Sequence, residues 1–484
     1  MADDLPHPGC NCGRRRRAVA TPPLLVGDLV IAARDRAREP ELPEATVHRA
    51  LATAFTPRLA RYDLIVVSSD APSDTEYENR LIAEFSRHEH RVFVLQSDAP
   101  DAARPIGPGV TYRIAAPTID ALVSLQREFG IDAAAILLPA SVCSALHQRI
   151  RDRLGWRIVS IASDAPVVKS CGCRNPRHTG ANDADIPIAF DSNALSGQSR
   201  ALDLSREVSW PARWAVLDSA IRQTWPKASV VVLTHDNLAF SRLCLASVLE
   251  NTEYPNYELI VVDNASTDGT VEELQRLAAT VPTLRPIFND HNTGFGGGNN
   301  QGMRSATGDI IVLLNNDTIV PRGWLTRLAR HLQDPLIGLI GPATNRTCNE
   351  AQLNPQYQTY AEYQDIARQF ALEHEREVRP IRMLAMFCTA LRRDTLDRIG
   401  LLDERYEVGM FEDEDYALRV KEAGLEVAWT PEVYVHHAYH ASIGKLLPSG
   451  EYMRLVHLNQ GRFEEKWGIC WERHRPLPPQ AATA

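Results

Sequence analysis

Apolar runs that end abruptly in polar clusters recur along this chain. In residues 308–317, GDIIVLLNND, the stretch from Ile310 to Leu314 has no polar interruption. Such a run marks a strand buried on both faces of a mostly parallel sheet. It stops at Asn315, Asn316 and Asp317. SVVVLTHDN, from Ser229, and YELIVVDNASTDGT, from Tyr257, follow the same grammar, the second with Asp263 at the strand end. Helical patterning over residues 240–251, 271–279 and 299–306 separates these strands, the last helix following a glycine-rich loop from Gly294 to Gly298. Strands alternating with helices predict an α/β domain with crossovers on the sheet faces.

The same alternation appears upstream. YDLIVVSS, RVFVLQS, VTYRIA, AAAILLP and RIVSIAS read as strands, with helices over residues 76–87, 119–129 and 142–154. This predicts a smaller Rossmann-like α/β module over residues 61–165. No GxGxxG follows its first strand, so nothing signals a dinucleotide. Residues 1–60 read as a variable segment, helical only over 26–55. Residues 166–226 begin as a Ser-, Asp-, Asn-, Gly- and Pro-rich linker and end in an amphipathic helix over 210–225. The second domain is expected over 227–475, with a tail at 476–484.

At 484 residues the chain is too long for one core and predicts two or three domains. The net charge of −9 argues against a general nucleic-acid binder. No apolar run approaches the roughly 18 residues of a membrane span, and MADDLPHPGCNCGRRRR lacks the apolar core of a secretory signal. The expectation is a cytoplasmic protein with reduced cysteines. The basic run Arg14 to Arg17 reads as a solvated tail or as a contact with the anionic cytoplasmic face of a membrane. Two CxC pairs, Cys10 with Cys12 and Cys171 with Cys173, read as surface thiols or as a zinc site completed by His7 or His178.

In a parallel sheet the carboxyl ends of strands converge on one edge, where open α/β sheets bind ligands. Carboxylates there meet ribose or base donors, glycines allow close backbone approach, and a divalent cation offsets phosphate charge. Downstream, residues 383–391 read as a strand. Residues 413–423 read as an amphipathic helix with Tyr416, Val420 and Ala423 on one face. Glu412 and Asp413 then sit at a helix amino terminus, where the dipole favours the ionised carboxylate and lowers its pKa. A capping role is the alternative. VAWTPEVYVHH ends in His436 and His437, candidate metal ligands beside a carboxylate cluster. Residues 345–382, with Tyr357, Tyr360 and Tyr363, read as an acceptor-binding segment or as a plain surface helix.

From Ser229 to about Lys445 the chain resembles the family 2 inverting glycosyltransferases of the GT-A fold. The phrases VVVLTHDN, YELIVVDNASTDGT, NTGFGGGNNQG, IIVLLNNDT, GLLDERY, MFEDEDYALRVKEAG and VYVHH carry the resemblance. GWLTRLARHL, IGLIGPATN and FEEKWG point towards bacterial enzymes of surface-polysaccharide assembly, such as O-antigen or capsule glycosyltransferases. The module before it resembles the first Rossmann half of GT-B glycosyltransferases.

The resemblance implies a nucleoside-diphosphate sugar donor, a saccharide or lipid-linked saccharide acceptor, and Mn2+ or Mg2+ as cofactor. It implies nucleotide-sugar contacts at Thr234, Asp236, Asp263, Gly294, Asn299, Asn315 and Asn316. Asp317 and His437 would be the metal ligands and Asp413 the catalytic base. Asn315 replaces the first acidic residue of the DxD motif. Transfer to a peptide, a protein or a small metabolite would use the same core. A nucleotide-sugar-binding scaffold without turnover and a nucleotidyltransferase are readings from other classes.

Overall fold

A computed structural model describes residues 24–26, 29–31, 62–67, 72–88, 90–95, 118–139, 144–161, 186–189, 202–204, 209–357, 359–438 and 451–472. The expected strand at 110–115, the basic run from Arg14, and Cys10, Cys12, Cys171, Cys173, His7 and His178 lie outside these residues.

Two short strands open the description, β1 (Leu24–Val26) and β2 (Leu29–Ile31), paired antiparallel. A helix was the expectation for residues 26–55, most of which lie outside the described residues. The Gly-Asp dipeptide between these strands is a hairpin signal that outweighs the helical spacing there.

The chain divides into two compact units. One comprises Arg58–Pro226 with Glu253–Asn256. It holds β3 (Asp63–Val67), β4 (Val92–Leu95), β5 (Ala134–Pro139), β6 (Arg157–Ile161), β7 (Ile186–Ala189) and β8 (Leu202–Asp203). They form one six-stranded sheet in the order β4-β3-β5-β6-β7-β8, parallel at every pairing. Ile65, Phe93, Leu122, Ile136 and Trp156 fill its core. The sheet is Rossmann-like. It extends further than the sequence suggested, because β7 and β8 fall in the stretch that reads as a linker. Strands of four and two residues set among polar and proline positions are too short to show a period.

The other unit takes Lys227–Thr252 and Tyr257–Ala484, with Met1–Pro57. Its strands are β9 (Ala228–Thr234), β10 (Tyr257–Asp263), β11 (Leu284–Phe288), β12 (Ile310–Asn315), β13 (Thr318–Ile319), β14 (Ile337–Thr344), β15 (Arg379–Pro380), β16 (Cys388–Arg392) and β17 (Glu426–His437). The sheet order is β11-β10-β9-β12-β16-β14-β17-β13, with β15 pairing β17 off this path. The β11-β10-β9-β12 block is parallel, and β16 enters antiparallel. This mixed sheet, parallel on one side with an antiparallel insertion, is an α/β architecture, as the sequence led us to expect. The apolar runs of β9, β10 and β12 are buried almost throughout, as burial on both faces requires.

Register aligns the strand ends. Asp263 pairs with Thr234, and Asn315 pairs with Leu233. The carboxyl ends of β10, β9 and β12 therefore stand level. The helix after the glycine-rich segment starts earlier than its composition suggests, spanning Gly294–Ser305. Glycines are poor helix formers, but here they allow close packing on the sheet. A Cβ at Gly298 would stand 2.3 Å from Leu233 Cδ1, and one at Gly302 2.2 Å from Val231 Cγ1.

Tyr357 and Tyr363 are core residues, 8% and 0% exposed. Tyr363 donates to the Ile319 carbonyl (2.7 Å) and the Tyr434 carbonyl (3.0 Å). They brace β17 rather than offering a surface to an acceptor. Among the described residues no helix is long and apolar enough to cross a membrane.

Candidate active site

At the ends of β9 and β10, the Thr234 hydroxyl donates to Asp263 Oδ1 at 3.0 Å, and both side chains are fully buried. Asp263 Oδ2 accepts the Ser266 amide at 2.9 Å. The Ser266 hydroxyl accepts the amide of Asp236 at 2.8 Å. Asp236, left-handed at φ 52°, accepts the Thr267 amide at 2.8 Å. Reciprocal bonds thus lock the two strand-end loops together, so the backbone there is set before any ligand arrives.

Asn264 ties this pair of loops to the glycine helix. Its Nδ2 donates to Asn292 Oδ1 and to the Gly294 carbonyl, both at 3.1 Å, and its Oδ1 accepts Asn289 Nδ2 at 2.8 Å and the Thr293 hydroxyl at 3.0 Å. Gly294, at φ 76°, begins the helix. Asn299 is buried and donates to the Phe295 carbonyl at 3.0 Å, inside the same helix. Sequence reasoning passed over Asn264, since an Asn after a strand reads as a turn former.

At the end of β12, the backbone N–H of Asn315 donates to the Phe387 carbonyl at 2.8 Å. Its own carbonyl accepts the Thr318 hydroxyl at 2.8 Å. Asn316 Nδ2 is committed to the Ser241 hydroxyl at 2.9 Å. Asp317 meets His437, with Oδ1 3.3 Å from Nε2. The antiparallel pairing of β13 with β17, Thr318 opposite His437, brings them together. Asn345 holds the His437 backbone from both sides, accepting its amide at 2.7 Å and donating to its carbonyl at 3.1 Å. The Phe387 ring stacks on the imidazole, centroids 5.0 Å apart.

His436 points the other way, as alternation along a strand requires. Its Nδ1 lies 2.6 Å from the Tyr357 hydroxyl, and its ring packs edge-on to Tyr357 and Tyr363. Burial lowers its pKa to about 3, so it is neutral in this aromatic core. The structure thereby separates two adjacent histidines that the sequence left as rivals.

The Asp317–His437 pair offers one oxygen and one nitrogen donor 3.3 Å apart. Adjacent ligands of an octahedral ion at about 2.1 Å lie roughly 3 Å apart, so the pair fits a Mg2+ or Mn2+ edge. Among the described residues no group of three or more His, Cys, Asp or Glu gathers to hold a metal.

The acidic helix spans Glu412–Glu422. Glu412, not Asp413, is its first residue, one position earlier than expected. Glu412 is 9% exposed, and burial raises its pKa to about 7. Asp413 keeps partial exposure, yet burial of its carboxyl, reinforced by the charges of Glu412 and Glu414, pushes its pKa well above the ordinary carboxylate range. This corrects the expectation of a carboxylate held ionised by the helix dipole. Desolvation and two neighbouring carboxyls outweigh the dipole. The helix entry leans on the glycine segment. A Cβ at Gly294 would stand 3.4 Å from the Val408 amide nitrogen, and one at Gly409 would stand 3.7 Å from Phe295 Cβ and 3.9 Å from Glu412 Oε1.

Residues 229–400 match the family model "Glycosyl transferase family 2". The chain is 26% identical over 285 residues to the O-antigen biosynthesis protein RfbC of Myxococcus xanthus, covering 56% of this chain and 22% of RfbC. It is 26% identical over 230 residues to an uncharacterized protein, y4gI, of Sinorhizobium fredii, covering 45% of this chain and 25% of that protein. The chain thus spans a quarter or less of the length of these relatives. Among solved structures it is similar to the mannosyltransferase PcManGT of Pyrobaculum calidifontis in complex with GDP-Man and Mn2+. That match has 21% identity and a TM-score of 0.38, and covers 50% of this chain and 66% of that one.

Proposed function

We propose that this chain, whose residues 229–400 match the glycosyl transferase family 2 model, transfers a sugar from a nucleoside diphosphate to an acceptor hydroxyl with inversion. The observation that carries this reading is the Asp317–His437 pair at the end of β12, level with the buried Thr234–Asp263 pair. Thr234, Asp236, Asp263, Gly294, Asn299, Asn315 and Asn316 make up the donor side. Asp236, half-buried at the strand end, serves the nucleoside. Thr234, Asp263, Asn299 and Asn316, all buried in hydrogen bonds, hold the strand ends and the glycine helix in shape rather than reaching the donor.

Asp317 and His437 would hold Mn2+ or Mg2+, which when bound neutralises charge on the diphosphate. Asp413 acts on the acceptor side. In its ionised form it takes the acceptor hydroxyl proton. The oxygen then bonds the anomeric carbon, and the carbon–oxygen bond to the diphosphate breaks, its electron pair leaving with the nucleotide. Attack opposite the leaving group inverts the centre. The raised pKa of Asp413 makes it a stronger base than an ordinary carboxylate.

The likeness to the O-antigen biosynthesis protein RfbC supports a role in bacterial surface-polysaccharide assembly, with a saccharide or lipid-linked saccharide as acceptor. A thermal-shift panel of UDP-, dTDP- and GDP-sugars with and without Mn2+ tests the donor assignment, because ligand binding raises apparent stability by mass action. One donor should stabilise the protein only with the metal. No shift with any donor would count against the reading.

A further inference from the structure

The backbone leading into the acidic helix is left-handed at four successive residues. Val408, Gly409, Met410 and Phe411 have φ of 63°, 141°, 76° and 74°. Three are not glycine, and Val408 is β-branched, the type least suited to that region. Such a run persists only where its surroundings over-determine it.

One buried side chain does so. Asn459, on the helix Glu451–Trp467, is fully buried. Its Nδ2 donates to the carbonyls of Gly409 at 2.8 Å, Glu407 at 3.3 Å and Met410 at 3.4 Å. Its neighbours on the same helix face secure the flanks. Arg462 Nη1 donates to Asn459 Oδ1 at 3.2 Å, and Nη2 donates to Glu407 Oε1 at 2.8 Å. Lys466 reaches Asp403 at 2.7 Å and Asp415, inside the acidic helix, at 2.6 Å. Positions 459, 462 and 466 are three and four apart and so form one stripe. This helix lies outside the residues matched by the family model.

We propose that Asn459 is a positioning residue for sugar transfer. It holds residues 407–411 in their left-handed path and thereby fixes the first helical turn, from which Glu412 and Asp413 project. The inference rests on the assignment of Asp413 as the base.

The test compares full-length wild type with Asn459→Leu, which removes the donor group, and Asn459→Asp, which keeps the shape but turns a carboxylate towards three carbonyl oxygens. Amide hydrogen exchange, titration of UDP and GDP with Mn2+, and transfer from the sugar selected by the donor panel are measured on each. Exchange in residues 407–413 should rise at least tenfold while the helix 451–467 stays protected. Nucleotide binding should stay within about twofold. Transfer kcat should fall roughly ten- to a hundredfold with donor KM unchanged, as misplacement of a catalytic group does. Unchanged exchange in 407–413, or equal loss of protection in the helix itself, would overturn the proposal in whichever variant folds. If wild type turns over no nucleotide-sugar, the transferase reading fails, and the exchange data still decide whether Asn459 holds the loop.

Discussion

Thr318 pairs with His437 across the β13–β17 ladder, and that register sets the imidazole 3.3 Å from the carboxylate of Asp317, the residue just before Thr318. The site therefore depends on residues more than a hundred positions apart in the chain. Its geometry comes from strand pairing rather than from a local motif.

Adjacent histidines should behave in opposite ways. His437→Ala should weaken Mn2+-dependent nucleotide binding by roughly tenfold or more, about 1.4 kcal/mol, with little loss of stability. His436→Ala should leave nucleotide affinity near normal. It should destabilise the fold by about 1–3 kcal/mol, because Tyr357 loses a buried partner. Titration calorimetry and urea denaturation on both variants check this.

Asp413→Asn should lower transfer by about 10²–10⁴, the range for loss of a general base, while donor affinity persists. Glu412→Gln should be milder. Because the pKa of Asp413 is raised, the rate should climb as pH rises through and above the ordinary carboxylate range, as the base becomes ionised. A pH–rate profile that is flat from pH 5 to 8 would argue against Asp413.

Burial of Glu412 gives a stability prediction with a definite sign. Its folded pKa, about 7, lies above the ordinary value of 4.5, so the folded state holds the proton more tightly. The stability this contributes is present at pH 4 and is lost as pH rises towards and through 7. Glu412→Gln removes the buried charge. It should raise Tm by several degrees at pH 8 and change it little at pH 5, as calorimetric scans at the two pH values would show.

Gly302→Ala should destabilise by about 1–3 kcal/mol despite alanine's better helix propensity, since the methyl meets the stiff Val231 side chain. Gly298→Ala should cost less, because a Leu233 terminal methyl can move. Urea midpoints should rank the two.

Much of this was legible in the sequence. The runs Val230 to Leu233, Leu259 to Val262 and Ile310 to Leu314 announced buried parallel strands, and their polar ends placed Thr234, Asp263 and Asp317 on one edge. What stayed hidden depends on non-local contacts. The choice between His436 and His437 needs the β13–β17 register. Tyr357 and Tyr363 look like surface aromatics until β17 packs on them. The pKa of Asp413 reflects how the fold buries it, which no local dipole argument contains. The helix from Gly294 was hidden because its glycines answer to Val231 and Leu233 rather than to helix propensity.

The most direct test of the account is release of free nucleoside diphosphate from a panel of nucleotide-sugars, with Mn2+ and in excess chelator, by wild type and by Asp317→Ala. Wild type should consume one donor in Mn2+ and none in chelator, and Asp317→Ala, still folded, should consume none. Equal release by both proteins, or full release by wild type in chelator, would contradict the account.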